Sequence, residues 1–337
     1  MDATTLLNKL IEKQNLTTEE SQEFLADVMN GVISPVQIGA ILTALRMKGE
    51  TPQEIIGFIQ AMRKQMVAVS IQDAIDVCGT GGDGTGSFNI STATAFVVVG
   101  CGVPVAKHGN RAASSKCGSA DVLENLGVTI QLDASQAKTV FDKVGMVFLF
   151  APLFHPATKQ VVLVRRELKI RTIFNFLGPF LSPASVTKQL IGVPNVDVAK
   201  KLIEVAKQLG YHHLLLATSE DGMDEVSLSA KTHIFELKDN QENHFIIDPT
   251  TYGFKTTSAD AIAGGDVQQN AQAIHDVLNG VKDEKRDIVL LNSAVALYTA
   301  DKVKSIEEGI TKAAEAIDTG AAKKVLENLI KETQVYA

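Results

Sequence analysis

The stretch Asp76-Val77-Cys78-Gly79-Thr80-Gly81-Gly82-Asp83-Gly84-Thr85-Gly86-Ser87-Phe88-Asn89-Ile90-Ser91-Thr92 joins a short apolar run to a helix start through closely spaced glycines. Five of the eight residues from Gly79 to Gly86 are glycine, so backbone N–H groups can approach a ligand without an intervening Cβ. The helix that we expect from Ser91 onward adds free N–H donors and the positive end of its dipole. The stretch predicts an anion site, with phosphate as its natural ligand. A flexible turn between strand and helix is the simpler alternative.

The distribution of charge around this stretch favours the anion site. No Asp or Glu occurs from Gly84 to Ala120, whereas Lys107, His108, Arg111 and Lys116 fall within that window. The chain as a whole carries 32 basic and 39 acidic residues, a formal net charge of −7. An acid-free window of this length in an acidic chain is suited to a polyanion.

Two better known phosphate motifs do not fit the glycine run. Gly79-x-Gly81-x-x-Gly84 has the spacing of a dinucleotide-binding turn, which needs an acidic residue about 20 positions later to hold a ribose hydroxyl. That region, 104–108, contains no carboxylate. No Lys-Ser or Lys-Thr follows the last glycine, so the P-loop interpretation fails as well.

The composition indicates an ordinary globular protein of 337 residues with 45% hydrophobic and 21% charged residues. Its mild acidity argues against non-specific nucleic-acid binding. We expect neither a signal peptide nor a membrane span. Cys78, Cys101 and Cys117 show no metal-site spacing, which suits a reducing cytoplasm.

The chain divides into a helical part and an α/β part. Capping boxes at 17–20, 34–37 and 51–54 predict three helices before residue 70, with Gly49 ending the middle one. From Ala74 onward short apolar strands alternate with helices, which predicts an α/β fold with a mostly parallel central sheet. We expect a small helical domain at 1–70, completed by a segment near 164–185, and a larger α/β domain at 71–337. The expected strands are 75–78, 103–107, 146–150, 190–193 and 213–217, and the expected helices include 134–144, 197–210, 266–278, 286–299 and 302–329.

A second motif, residues 107–121 (KHGNRAASSKCGSAD), follows a predicted strand and precedes a helix that begins near Ser119. The carboxyl ends of strands are where open α/β folds bind ligands. Lys107 supplies a flexible charge and Arg111 a rigid fork for phosphate oxygens, and the serines supply hydroxyl donors. The motif therefore predicts a second phosphate loop, with a solvated loop carrying capping serines as the alternative.

Two further segments have weaker signals. Asp224 and Glu225 follow a glycine turn after the strand 213–217, and hard carboxylate oxygens suit Mg²⁺ that also bridges substrate phosphates. Residues 165–175 (RRELKIRTIFN) place a basic cluster beside an apolar run. An arginine there can grip a substrate carboxylate, or the cluster can be the solvated face of a salt-bridged helix.

Together these four segments resemble the anthranilate phosphoribosyltransferases of the nucleoside-phosphorylase-like phosphoribosyltransferase family. GTGGDGTGSFNIST, KHGNRAASSKCGSAD, RTIFNFLGP and DGMDE occur in the family's order and spacing, and the likeness covers nearly the whole chain. The resemblance implies the nucleoside phosphorylase/phosphoribosyltransferase fold and a homodimer formed through helical domains. It also implies a tryptophan-pathway enzyme that transfers the phosphoribosyl group of phosphoribosyl pyrophosphate to anthranilate.

The resemblance also implies roles for individual residues. Ser91, Asp224 and Glu225 match positions that engage two Mg²⁺ ions, and Gly79, Asn110 and Arg165 match positions that contact anthranilate. Arg171 is a further candidate near the acceptor. No dedicated catalytic acid or base is assigned. The positions matching the family's phosphoribosyl pyrophosphate site are Gly79, Gly82, Asp83, Ser87, Asn89, Ile90, Ser91, Thr92, Lys107, His108, Gly109, Asn110, Arg111, Ala112, Ala113, Ser114, Ser115 and Ser119.

Some residues depart from the family pattern. Glycine is common where this chain has Lys169, asparagine where it has Ser182, and His-Gly where it has Thr218-Ser219; these departures concern the hinge and the acceptor entrance.

A pyrimidine nucleoside phosphorylase and a non-catalytic paralogue that binds nucleic acid remain alternatives. We expect no membrane partner, no nucleic-acid partner and no glutamine amidotransferase domain in the chain; association with an anthranilate synthase component stays open.

Overall fold

The computed structural model of the protein describes residues 2–112 and 116–337. Its chain begins with four helices: α1 (Ala3–Ile11), α2 (Thr18–Met29), α3 (Pro35–Lys48) and α4 (Pro52–Gln65). The three predicted capping boxes are confirmed, because the side chains of Thr17, Ser34 and Thr51 each accept a hydrogen bond from the third helical residue. Gly49 follows α3 with a φ of 88°, as expected for a glycine stop.

Seven strands of the described residues follow these helices and form one sheet, which is parallel except at one edge. The strands are β1 (Ile75–Gly79), β2 (Val105–Gly109), β3 (Met146–Phe150), β4 (Lys188–Gly192), β5 (His213–Ser219), β6 (Thr232–Lys238) and β7 (Gln241–Ile247). Their order in the sheet is β3-β2-β1-β4-β5-β6-β7; β1 to β5 pair in parallel, and β6 and β7 are added antiparallel. The predicted α/β class with a mostly parallel sheet is therefore confirmed.

Helices cover both faces of this sheet. They are α5 (Ile90–Gly100), α6 (Ser119–Asn125), α7 (Ala134–Val144), α8 (Ala151–Phe154), α9 (Lys159–Leu168), α10 (Phe174–Leu177), α11 (Val196–Gln208), α12 (Val267–Leu278), α13 (Glu284–Thr299), α14 (Ile306–Asp318) and α15 (Ala321–Gln334). No helix of the described residues is long and apolar enough to cross a membrane.

Alternating side chains of the strands enter two different hydrophobic cores. Leu215 and Ile234 face a core built with α5 and the C-terminal helices. Leu214 and Leu216 face a second core that contains α11, α1 to α4 and the segment 161–181. The chain between β3 and β4, residues 151–187, is called the return segment below, and its residues 161–181 pack with the N-terminal helices. Side chains of a strand alternate between the two faces of the sheet, and here both faces are buried.

Several predicted bounds were wrong in detail. The strand expected at 103–107 is β2 at Val105–Gly109, because its pairing from Val105 opposite Met146 to Gly109 opposite Phe150 sets its position. The strand expected at 190–193 begins at Lys188, and the helix expected at 302–329 is two helices. The break falls at Gly320, whose φ of 76° is incompatible with a continuous helix.

Candidate active site

The strand order reverses between β1 and β4. From β1 the chain proceeds to β2 and β3 on one side, then returns to place β4 on the other side. Gly79 and Gly192, the last residues of β1 and β4, lie opposite each other in the register. Open α/β sheets bind ligands in the crevice that such a reversal leaves at the carboxyl ends of the strands. The glycine loop leaves β1 at this crevice.

Asp224 occupies the space between these two glycines. A Cβ on Gly79 would lie 2.6 Å from the Asp224 Oδ2, and a Cβ on Gly192 only 1.5 Å from its carbonyl oxygen. The same Oδ2 accepts a hydrogen bond from the backbone N–H of Gly81 at 2.8 Å. Glycine at both strand ends thus admits the main chain of Asp224, and its carboxylate fixes the first peptide group of the loop.

A group of carboxylates forms around Asp224. The Asp224 N–H lies 3.5 Å from Asp83 Oδ2, and Asp83 also accepts hydrogen bonds from the backbone and hydroxyl of Thr85. Burial and then the nearby Asp83 carboxylate raise the pKa of Asp224. Burial and then Asp224 raise the pKa of Glu225, so the acids destabilise one another's charged forms. A bound cation would relieve this repulsion.

Lys107 provides the positive charge beneath the acids. Its buried Nζ donates to the Val77 carbonyl at 2.6 Å and to Ser91 Oγ at 3.1 Å. Ser91 lies in the first turn of α5, and its backbone N–H, together with the charge of Lys107, lowers the pKa of Glu225. Lys107, Ser91 and the acidic pair, predicted from three separate motifs, are therefore brought together.

The rest of the glycine loop and the start of α5 lie beside this cluster. Ser87 forms a short antiparallel bridge with Ala263, and the Phe88 N–H donates to the Ile262 carbonyl. Asn89 Nδ2 donates to the Cys117 carbonyl at 3.2 Å, whereas the buried Asn89 Oδ1 and Thr92 Oγ1 have no partner in the described part of the chain. Ile90 is buried and anchors the turn.

The described residues of the second predicted motif, 107–112 and 116–121, include the end of β2 and the start of α6. A Cβ on Gly109 would lie 2.4 Å from Ser119 Oγ. That hydroxyl donates to the Asn110 carbonyl at 3.3 Å. Asp121 accepts hydrogen bonds from the backbone N–H groups of Ala112 and Gly118 at 3.0 and 2.9 Å. Ala113, Ser114 and Ser115 lie outside the described residues.

Arg111 has a different environment from the predicted one. Its guanidinium pairs with Asp121 at 3.0 Å and with Glu124. It also lies 5.5 Å from the centre of the Phe150 ring. The carboxylates of Glu124 and Asp121 raise the pKa of Arg111 above its usual range. Since the side chain is exposed, the pairs are weak and leave the fork free to exchange partners.

His108 faces the opposite side of the sheet from Lys107. Its Nδ1 lies 3.3 Å from the Gly178 carbonyl, and its ring centre lies 5.3 Å from that of His155. Burial and then His155 lower the pKa of His108 to about 3, so the ring is neutral near pH 7. The buried Nε2 has no partner among the described residues. His108 therefore contacts the return segment, not the acidic cluster.

Arg165 lies near the end of α9, half-buried and without a carboxylate partner in the described ranges. Its guanidinium carbon lies 5.4 Å from the centre of the Phe174 ring. Burial lowers the pKa of Arg165 from its ordinary value. A desolvated arginine with no internal counter-charge is suited to an anionic ligand.

Comparisons with known proteins identify the family of this chain. Residues 71–323 match the model described as glycosyl transferase family, a/b domain, and residues 4–66 match its helical bundle domain. An anthranilate phosphoribosyltransferase of Dehalococcoides mccartyi is 48% identical over 334 residues, covering 98% of each chain. This chain belongs to the anthranilate phosphoribosyltransferase family.

Solved structures of anthranilate phosphoribosyltransferases share the fold over the whole chain. The enzyme of Thermus thermophilus has a TM-score of 0.90 and 35% identity, covering 99% of this chain and 100% of its own. The enzyme of Saccharomyces cerevisiae, in complex with phosphoribosyl pyrophosphate and Mg, has a TM-score of 0.91 and 26% identity, covering 99% and 98%.

The departures from the usual anthranilate phosphoribosyltransferase residues lie at three places, and one of them, Ser219, donates its N–H to the carbonyl of Met223, next to Asp224. Lys169 ends α9 in the left-handed region with a φ of 53°, which explains why glycine suits this position. Ser182 is buried, and its hydroxyl has no partner in the described segments. Thr218 and Ser219 are the buried last residues of β5.

Two residues of β4, Gly192 and Gln189, support the site but were not predicted from the sequence. Gln189 Nε2 donates to Asp76 Oδ2 at 3.1 Å and to the Pro179 carbonyl at 2.9 Å. Gln189 Oε1 accepts from the Tyr211 hydroxyl at 3.0 Å. This buried network holds the return segment against the sheet beneath the site. A glutamine in an apolar run, followed three residues later by glycine, was the available signal.

Proposed function

We propose that the protein transfers the phosphoribosyl group of phosphoribosyl pyrophosphate to the amine of anthranilate, giving N-(5-phosphoribosyl)anthranilate and pyrophosphate, in tryptophan biosynthesis. The observation that carries this proposal is the convergence of the glycine loop, Lys107 and the Asp224–Glu225 pair at the sheet reversal. Membership of the family and the names of the relatives supply the substrate identity.

The proposed site for phosphoribosyl pyrophosphate, the donor substrate, uses backbone groups of the glycine loop and of the start of α5. Neither the Gly82 N–H nor the Asp83 N–H has an acceptor in the described part of the chain. Both are therefore available to pyrophosphate oxygens. Asn89 and Thr92 contribute buried polar atoms beside them. We assign the ribose and its phosphate to residues 107–115, of which 113–115 lie outside the described residues, and to Ser119.

The donor set fits Mg²⁺. The carboxylates of Asp224 and Glu225 are hard ligands, and Glu225 lies within hydrogen-bond reach of the Ser91 backbone N–H. The raised pKa values of both acids reflect a local excess of negative charge. No group of three metal-ligating His, Cys, Asp or Glu side chains converges within the described residues. This suits a metal held jointly by the protein, water and substrate phosphates. We propose two ions per subunit; when bound, they would supply positive charge against the pyrophosphate leaving group.

The acceptor site of the proposal lies toward the helical part. Arg165 is the residue proposed to hold the anthranilate carboxylate, since it is desolvated and lacks an internal counter-charge. Gly79 and Asn110 complete the contacts. Because an arylamine has its lone pair available at neutral pH, no strong base is required. The neutral His108 ring holds the return segment in place instead.

The proposed transfer exchanges one bond at the anomeric carbon. The bond to the pyrophosphate oxygen breaks, and pyrophosphate leaves with the electron pair while the carbon gains oxocarbenium character. The amine nitrogen forms the new bond and loses a proton to water. The chain's contribution is to position both substrates and to stabilise the departing charge through the N–H donors of residues 79–92.

We also propose a cytoplasmic homodimer, with the division into domains at 1–70 plus 164–185 and at 71–337. The support for the dimer is a set of exposed apolar side chains on helices α3 and α9 and their neighbours: Ile11, Val32, Val36, Met47, Val162 and Leu163. Cys78, Cys101 and Cys117 form no disulfide in the described part of the chain, which suits a reducing compartment. Light scattering during size-exclusion chromatography tests the dimer.

Loss of anthranilate fluorescence after addition of phosphoribosyl pyrophosphate tests the function. We expect a decay that requires Mg²⁺ and stops with EDTA. If the folded protein binds phosphoribosyl pyrophosphate but anthranilate fluorescence does not decay, the assignment of anthranilate as the acceptor substrate is contradicted. Phosphorolysis of thymidine or uridine would instead favour a nucleoside phosphorylase.

A further inference from the structure

The guanidinium of Arg171 bridges the helical part of the molecule and the glycine loop. Arg171 Nη1 donates to the Gly82 carbonyl at 2.8 Å, and Nη2 donates to the Gly81 carbonyl at 3.2 Å. Arg171 precedes Ile173 and Phe174, which are buried in the core shared with α1 to α4. One side chain therefore connects two parts of the chain that are about ninety residues apart.

These two hydrogen bonds fix the direction of the loop's peptide groups. In a trans peptide the C=O and N–H bonds point in opposite directions. With the carbonyls of Gly81 and Gly82 directed at Arg171, the N–H groups of Gly82 and Asp83 point away from it. Neither of these two N–H groups has an acceptor in the described ranges.

The loop depends on such contacts because of its composition. Gly81 and Gly82 both have positive φ, 71° and 72°. Glycine reaches these values freely, and it reaches many others as readily. Asp224 holds the Gly81 N–H, and Arg171 holds the two following carbonyls. Three successive peptide groups are thus oriented by two side chains of opposite charge.

We propose that Arg171 is a positioning residue that presets the glycine loop for a pyrophosphate group and does not itself bind the substrate. The proposal rests on the proposed function for the identity of that group. Since Arg171 belongs to the helical part, a displacement of this part relative to the sheet releases the loop and weakens donor binding.

The test compares Arg171→Ala and Arg171→Lys with Arg166→Ala, a control that removes an exposed charge from the same segment. The first measurement is amide hydrogen exchange of the ligand-free protein in the peptide that covers residues 79–88. We expect Arg171→Ala to accelerate exchange there, including the Gly81 amide, by about tenfold or more. Arg171→Lys should lie between, because an ammonium cannot make the planar bidentate contact.

The second measurement is the Kd of inorganic pyrophosphate with Mg²⁺. Loss of two charge-assisted hydrogen bonds that preorganise the loop should weaken binding by roughly 10- to 100-fold in Arg171→Ala. Weaker binding with unchanged exchange would make Arg171 a direct ligand and overturn the proposal. Changes in exchange and in Kd no larger than those of Arg166→Ala would also overturn the proposal.

If Arg171→Ala fails to fold, Arg171→Gln, which keeps one donor, takes its place. Faster exchange in the free protein is independent of the substrate, so failure of the proposed function stays distinguishable.

Discussion

Gly192 lies so close to Asp224 that a Cβ at position 192 would lie 1.5 Å from the Asp224 carbonyl oxygen. The two residues are joined only by the fold, since Gly192 ends β4 and Asp224 follows β5. The close approach places a carboxylate of the proposed metal site directly above the reversal of the sheet.

Gly192→Ala should displace Asp224 by more than an ångström. A misplacement of about 1 Å can cost roughly a hundredfold in turnover, so we expect kcat to fall on that scale. Gly39→Ala is the control, because a Cβ there meets side chains at 3.7 and 3.8 Å only. Initial rates of anthranilate consumption measure both variants; wild-type kcat in Gly192→Ala would contradict the assigned position of Asp224.

Glu225→Gln should lower Mg²⁺-dependent turnover by about tenfold or more, because the amide cannot neutralise a metal ion. Burial and then Asp83 raise the pKa of Asp224, and burial and then Asp224 raise the pKa of Glu225. Protons therefore compete with Mg²⁺, and the Mg²⁺ concentration needed for half-maximal rate should fall as pH rises. In Glu225→Gln this pH dependence should be weaker. A rate titration with Mg²⁺ at three pH values measures it, and an unchanged activity would remove the metal assignment.

Arg165→Ala should raise the KM for anthranilate far more than the KM for phosphoribosyl pyrophosphate. The reason is the loss of a charge-assisted contact to a carboxylate, worth roughly 10- to 100-fold. Arg166→Ala, an exposed neighbour, serves as the control. Equal changes in both KM values would count against the acceptor role.

Asp76 should make stability depend on pH. Burial raises the pKa of Asp76 from 3.8 to about 6. The folded state thus binds the proton more tightly than the unfolded state, and this stabilisation, present below about pH 4, is lost as pH rises through about 6. We expect the free energy of unfolding of the wild type to fall by about 3 kcal/mol relative to Asp76→Asn over this range. Urea unfolding of the wild type and of Asp76→Asn at several pH values measures this difference. Asp73→Asn, a substitution of an exposed residue, is the control and should leave the pH dependence of the free energy of unfolding as in the wild type. The same pH dependence in the wild type and in Asp76→Asn would refute the prediction.

Lys169→Gly should stabilise the protein slightly. Lys169 has a φ of 53°, which costs a residue with a Cβ about 1 to 2 kcal/mol. The greater entropy of an unfolded glycine cancels part of this gain. We expect a net gain of about 0.5 to 1 kcal/mol, measured by urea unfolding. Glu167→Gly, within α9, is the control and should destabilise by about 1 kcal/mol. Destabilisation by Lys169→Gly would mean that the lysine side chain makes a stabilising contact.

The parts of the fold that follow from local signals could be predicted from the sequence. The helix starts at Thr18, Pro35 and Pro52 depend on side chains within three residues of each start. The position of β2 could not be predicted, because Val103 is as apolar as Val105 and only pairing with β3 separates them. Likewise the apolar spacing of the last segment continues across Gly320, where the backbone turns.

By itself the sequence determined most of the secondary structure, the glycine loop and the types of residue that bind phosphate and metal, since these depend on neighbours along the chain. The tertiary structure decided which of them meet. Asp224 reaches Gly81 across 143 residues, and His108 turns away from the Lys107 side because alternate residues of a strand face opposite ways. Arg111 pairs with Glu124, whereas Arg171 holds the loop. Such choices depend on strand order and packing between distant segments, which local spacing does not specify.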